Sequence, residues 1–342
     1  MSGGGQLHRK VSIIVVATGV ALLLVFTPQV PLIVFAGVLF AIFLRGGGAW
    51  LAALAGVGTG WGMLVFWLVV IAAFGIAGTL FAPLIVAQLD QLARELPPAI
   101  DELRRSIEGT AWGDWLLHSA MPEQLAPAEA SGALTSATLG TFGALGSFVI
   151  VLIIGIYGAV DPQTYRNGFI ALLAPSLRPR GEELMDRAAA TLGRWLVGRI
   201  LSMATVGVLT ALGLWMIGVP LAAILGFIAA LLAFIPNLGP VLSVVPAVLL
   251  ALPEGMTTVL LVLAIYTGVQ AVESYLVTPL IQQRQVSLPA AFILAVQLLM
   301  GILFGLLGLI LATPLAALLV MLTREVYVRD WLDAEPERAG RG

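Results

Sequence analysis

Glu273 is one of only three charged residues between Ile200 and Thr323; the others are Glu254 and Arg284. It lies late in an apolar stretch, with Gln270 one helical turn before it and Ser274 beside it. An ionisable group at such a place marks a functional site by default: it can bind a proton or cation, or hydrogen-bond a polar solute. The competing reading places Glu273 near the headgroups, paired with Arg284 or backbone. A second constellation is Phe234-Ile235-Pro236-Asn237-Leu238-Gly239-Pro240. Pro236 removes a backbone donor, and Gly239 and Pro240 complete a break in an apolar run. The half-helices on either side present a partly negative and a partly positive end, and Asn237 adds an amide that donates and accepts. Gly239 is read as a position of positive φ and of close helix approach. Together these groups suit a small polar solute or an ion; the plainer alternative is a tip that only turns the chain. A third group is Gly305 and Gly308, read as a hinge, with Gly301 on the same helical face as a packing glycine. Candidate substrate-binding residues are thus Pro236, Asn237, Gly239, Pro240, Gly305 and Gly308; candidate ion-coupling residues are Glu273 and Gln270.

The elements that carry these residues repeat. One broken apolar stretch runs from Val219 to Leu252 and a second from Leu288 to Leu322. Superposed, Pro220 falls on Pro289, Ala222 on Ala291, Pro236 on Gly305 and Gly239 on Gly308. Free backbone groups inside lipid cost several kcal/mol unless protein or trapped water satisfies them. Broken segments at corresponding places in two repeats are the strongest sequence pointer to a transporter's binding site.

Composition sets the class. The chain is 60% hydrophobic and 11% charged, with mean hydropathy +1.03. A soluble domain carries about 25% charged residues, so this is an all-α polytopic membrane protein whose first partner is the lipid bilayer. The net charge of −2 argues against nucleic acid. There is no cysteine, and His8 and His118 are the only histidines, so metal sites built on either are not expected. The sequence has no phosphate-binding Gly-x-x-x-x-Gly-Lys-Ser/Thr run, no His-Glu-x-x-His and no Gly-x-Ser-x-Gly. No cofactor and no enzyme activity are expected. Gly56, Gly58, Gly60 and Gly62 read as loop and helix packing.

Continuous apolar segments lie at about 11–27, 30–44, 61–82, 142–160, 195–217 and 258–278, besides the two broken ones. The 30–44 segment is short for a span of about 20 residues. Arg9 and Lys10 place the N-terminus in the cytoplasm, and the arginine-rich 161–199 returns there. Residues 83–140 fall outside, with three arginines against eight acidic residues. Ile85, Leu89, Leu92, Leu96, Leu103 and Ile107 give that region a helical stripe, read as a surface helix or alternatively an oligomer contact or lid. The resulting units are 1–82, 83–140, 141–194, a transport core at 195–322 and a cytoplasmic tail at 323–342. Arg194 and Arg199 read as cytoplasmic-interface anchors.

Each broken segment fits either one long kinked crossing or a re-entrant hairpin. Hairpins place 279–288 inside and Glu254 outside, the arrangement the positive-inside rule prefers through Arg284. One hairpin would then open outward and the other inward, as an inverted repeat of helix plus hairpin.

The ordered set formed by 234–240, Glu273-Ser274-Tyr275-Leu276-Val277-Thr278-Pro279, Leu288-Pro289 and Phe304-Gly305-Leu306-Leu307-Gly308-Leu309-Ile310-Leu311-Ala312-Thr313-Pro314 resembles the AI-2E family of bacterial inner-membrane permeases. The resemblance implies eight membrane segments, export of a small molecule such as the quorum-sensing signal autoinducer-2, and a homo-oligomer. For other members it implies sodium/proton exchange. Three positions depart from the family pattern: Arg45 stands nearly alone in its loop, Arg199 replaces a usual glutamine, and Asn237 a usual aromatic. The leading expectation is a secondary transporter of a small polar solute, with its site between 236–240 and 304–308. The alternatives are a sodium/proton antiporter using Glu273 and a non-transporting membrane scaffold or regulatory protein.

Overall fold

A computed structural model describes residues 29–72, 146–277 and 289–332, together with Thr27, Thr79, Arg94, Arg105 and Pro279. The described segments are helical, with no strand among the described residues. Their order is α1 (Gln29–Ala55), α2 (Thr59–Ala72), α3 (Gly146–Val160), α4 (Pro162–Ala171), α5 (Arg178–Met216), α6 (Ala222–Leu232), α7 (Leu238–Ala251), α8 (Met256–Val272) and α9 (Ala290–Leu322). Wider π-helical turns follow α8 at Glu273–Val277 and α9 at Thr323–Leu332. The apolar segment 11–27, the amphipathic stripe of 83–140 and Arg284 lie outside the described residues.

Four described helical runs are long and apolar enough to cross a membrane: Gln29–Ala55, Pro175–Met216, Met256–Val277 and Ala290–Asp330. The 30–44 segment therefore extends further than its apolar run suggests. Arg45 is absorbed into α1, where Nη1 donates to the Ala159 carbonyl of α3 at 3.4 Å. The glycines that follow let α2 approach: a Cβ on Gly48 would lie 2.4 Å from Met63, and one on Gly62 2.6 Å from the Gly48 carbonyl. Gly56 ends α1 with φ +67. After α3 the chain bends by 89° at Asp161, whose carboxylate caps α4 through the Thr164 N–H at 3.2 Å. That bend turns α4 away from the direction of α3.

The first broken segment is a hairpin. Ala222 and Leu225 at the start of α6 share one buried cluster with Ala247, Leu250 and Ala251 at the end of α7. A continuous helix would hold residues 222 and 251 about 40 Å apart. The second broken segment also folds back, although its helical hydrogen bonding runs on from Ala290 to Leu322. At Gly305 the backbone takes φ 62 and ψ −144, outside helical geometry. A Cβ on Gly308 would lie 2.1 Å from the Met300 carbonyl oxygen, and Met300 packs in one cluster with Leu311 and Ala312. Eight residues of unbroken helix would separate 300 and 308 by about 12 Å.

Helix α5 is the ruler for both hairpins. Its 39 residues make a rod of about 58 Å, longer than the hydrocarbon core of about 30 Å. Leu214, at one end, packs in the cluster at the open end of the first hairpin, beside Val259 and Val262 of α8. Val206 meets Ala229, Ala233 and Val269. Arg199 reaches the first tip, donating from Nε to the Phe234 carbonyl at 3.0 Å. Leu192, Trp195 and Leu196 join Met300, Leu311 and Ala312, with Phe304 and Leu307 packed against the same cluster. Near its N-terminal end, Arg180 and Arg187 pair with Glu325, just past the open end of the second hairpin. The hairpins thus enter from opposite ends of α5, and their tips meet beside residues 192–199. The same contacts show that α8 runs antiparallel to α5, so helix plus hairpin recurs in inverted sense.

Candidate functional site

The first tip is built from its proline outward. Pro236 has no N–H, and its carbonyl accepts from the Leu238 N–H at 2.7 Å. That bond spans two residues and centres a tight γ-turn on Asn237, at φ 65 and ψ −45. Such positive-φ γ-turns are rare and strained, and asparagine bears positive φ better than most side chains. The positive φ therefore sits on Asn237; Gly239 is not a positive-φ residue. Gly239 serves the other expected purpose, close approach: a Cβ there would lie 1.9 Å from the Leu232 carbonyl oxygen. The Asn237 side chain is exposed and makes no hydrogen bond among the described residues, not even to cap α7. Pro240 lies in the first turn of α7, where no intrahelical donor is needed, and its carbonyl accepts from the Ser243 hydroxyl at 3.0 Å.

The second tip is plainer. Gly305 is exposed and takes a conformation close to one that glycine alone tolerates. Gly308 is buried in the counterpart of the Gly239 position, with a backbone carbonyl where its Cβ would stand. The two tips are joined through Gln297 of α9. Its Nε2 donates to the Pro236 carbonyl at 3.0 Å, its side chain is fully buried, and its Oε1 has no partner among the described residues.

Beside the first tip lies a buried ion pair. Glu273 is 7% exposed at the start of the π-turn that ends α8. Arg199 Nη1 stands 3.7 Å from its Oε1, the Ser202 hydroxyl donates to the same oxygen, and Gln270 Nε2 donates to Oε2 at 3.2 Å. Single π-turns inside α-helices recur at functional positions. Arg199 is therefore not an interface anchor: its side chain is 12% exposed and ties Glu273 to the Phe234 carbonyl. Trp195 braces the same place, edge-to-face with Phe234 at 5.6 Å. Arg194, one residue before, does face outward.

Of the expected residues, Glu273 and Gln270 touch each other and reach the first tip through Arg199. Gly305 and Gly308 shape the second tip and touch neither. Ser202, Gln297 and the pairing of Arg199 escaped the reading of the sequence. Gln297 carried a signal, being the one amide in an apolar run from Ala290 to Leu322.

The AI-2E family transporter model matches this chain over residues 12–327. A Bacillus subtilis (strain 168) protein, YrrI, is 27% identical over 247 residues, covering 69% of this chain and 70% of its own. A second from the same organism, YueF, is 25% identical over 270 residues, covering 75% and 73%. A Mycobacterium tuberculosis protein, MT0215, is 31% identical over 270 residues, covering 73% and 71%. All three bear the description "Putative transport protein".

Proposed function

The chain belongs to the AI-2E family of transporters, and from that membership we propose a secondary transporter that moves a small polar solute outward between the two hairpin tips. One observation carries this reading most: two opposed hairpins end against each other beside residues 192–199, and polar groups collect there. Pro236, Asn237, Gly239 and Pro240 form one wall, and Gly305 and Gly308 shape the other. Moving one hairpin against α5 opens the site to one side; moving the other opens it to the opposite side. Glu273, with Gln270, is the coupling candidate, because a carboxylate buried at this depth needs pairing or a function. The setting is the bacterial inner membrane, with both termini cytoplasmic and the chain in a homo-oligomer. An autoinducer-2-like signal is one candidate solute.

A second reading, sodium/proton antiport at Glu273, is favoured by the burial of that carboxylate. The guanidinium of Arg199 already occupies the place a cation would take, which weighs against it. Counterflow separates the two. Proteoliposomes preloaded with unlabelled solute from a panel of polyols, sugars, hydroxy acids and autoinducer-2 should accumulate the labelled form transiently. Sodium-driven proton flux without counterflow of any panel member would replace this reading with the antiporter.

A further inference from the structure

Arg199 is tied less completely than its burial demands. A guanidinium carries five N–H donors. Nε spends one on the Phe234 carbonyl at 3.0 Å. Nη1 is 3.7 Å from Glu273, beyond hydrogen-bond range, and both carboxylate oxygens already accept from Ser202 and Gln270. Among the described residues the two terminal nitrogens therefore donate no hydrogen bond, on a side chain only 12% exposed. Idle donors at the accessible edge of a mostly buried guanidinium are open to a further acceptor. A second idle group stands nearby. Gln297 Oε1 is buried without a partner among the described residues, and its amide is anchored on Pro236, two residues from the Arg199 anchor.

We propose that Arg199 is a substrate-binding residue: it takes a small oxyanion, a carboxylate or phosphate group of the solute, and Glu273 is the internal anion that holds it until the solute arrives. The planar fork of arginine matches two oxygens of such a group, a geometry Glu273 does not offer from 3.7 Å. A bound oxyanion gives the guanidinium a second acceptor and leaves Glu273 to the hydroxyl and amide already on it. Gln297 Oε1 then suits a hydroxyl or N–H on the same solute. This rests on the transport reading above and narrows its solute class.

The test is thermal stability of the purified full chain in detergent, titrated with N-methyl-D-glucamine lactate and glycerol 3-phosphate, and with lactamide and glycerol as neutral analogues. At least one anion should raise the melting temperature saturably, and neither neutral analogue should. Arg199→Lys keeps the charge but loses the fork, so its half-saturation should rise by about tenfold or more. Glu273→Gln removes the internal competitor, so its half-saturation should fall. No saturable rise with either anion, or an unchanged half-saturation in Arg199→Lys, overturns the proposal. Counterflow of a neutral solute alongside that failure leaves the transporter standing and removes only the anion.

Discussion

The two hairpins make the same fold-back by different chemistry. Each turns tightly, and each places a buried glycine, Gly239 or Gly308, where a Cβ would strike a backbone carbonyl of the opposite arm. Around the turn they diverge. The first tip has a proline, a strained asparagine, an exposed amide and a buried ion pair beside it. The second has Gly305 at its turn, with apolar Phe304 and Leu307 packed into the core. The shared part is what the backbone needs in order to reverse. The unshared part is what a hairpin does not need, and it is where function is sought. On this account the second hairpin is chiefly a gate that lends Gln297, and the recognition chemistry collects beside the first tip.

The comparison breaks most forcefully at the shared glycines. Gly239→Val and Gly308→Val should both abolish folded protein, since a branched side chain meets backbone that has no free end to move. Fluorescence-detected size exclusion checks this, with Gly268→Ala as a control, because a Cβ there meets nothing within 4 Å. Folded Gly308→Val with unfolded Gly239→Val would mean that the second segment is a kinked crossing after all.

Next is the ion pair, carried by α5 and the end of α8 and tied to the first hairpin through the Phe234 carbonyl. Glu273→Gln leaves Arg199 without its countercharge, and losing one partner of a buried pair costs about 3–5 kcal/mol. The melting temperature should fall sharply, and gradient-driven transport should be lost. Unchanged stability and driven transport would make Glu273 a bystander.

Smaller and opposite effects distinguish the two turns. Gly305→Ala forces a side chain into a conformation it resists, at about 1–3 kcal/mol. Asn237→Gly relieves strain at the first tip, so stability should hold or rise while half-saturation for the solute increases through loss of the amide. Thermal unfolding and counterflow on the two variants check both signs.

The sequence showed the breaks well, because proline and glycine disrupt helices wherever they fall. The equivalence of Gly239 and Gly308 was readable from their register and survives as a shared close approach. Crossing or hairpin was not decidable, since a kinked span and a hairpin use the same breakers; the contacts of Ala222 with the end of α7 resolve the first segment. Positive φ was assigned to Gly239 because glycine tolerates it best. It falls on Asn237 because Gly239 is taken up by close packing. Arg199 was read as an anchor from its place at the edge of an apolar run. Its partner Glu273 is more than seventy residues away, and local patterning carries no information about a contact of that range.

The central claim is that the hairpins open to opposite faces. The chain has no cysteine, so single cysteines report without background. Met216→Cys and Glu254→Cys flank the first hairpin, and Ala290→Cys and Arg324→Cys flank the second. All four sites are exposed. With a membrane-impermeant thiol reagent, the first pair should label from outside intact cells. The second pair should label only after the inside is opened. Labelling of Met216→Cys and Glu254→Cys from different faces would contradict the account, because it would make the first broken segment a crossing.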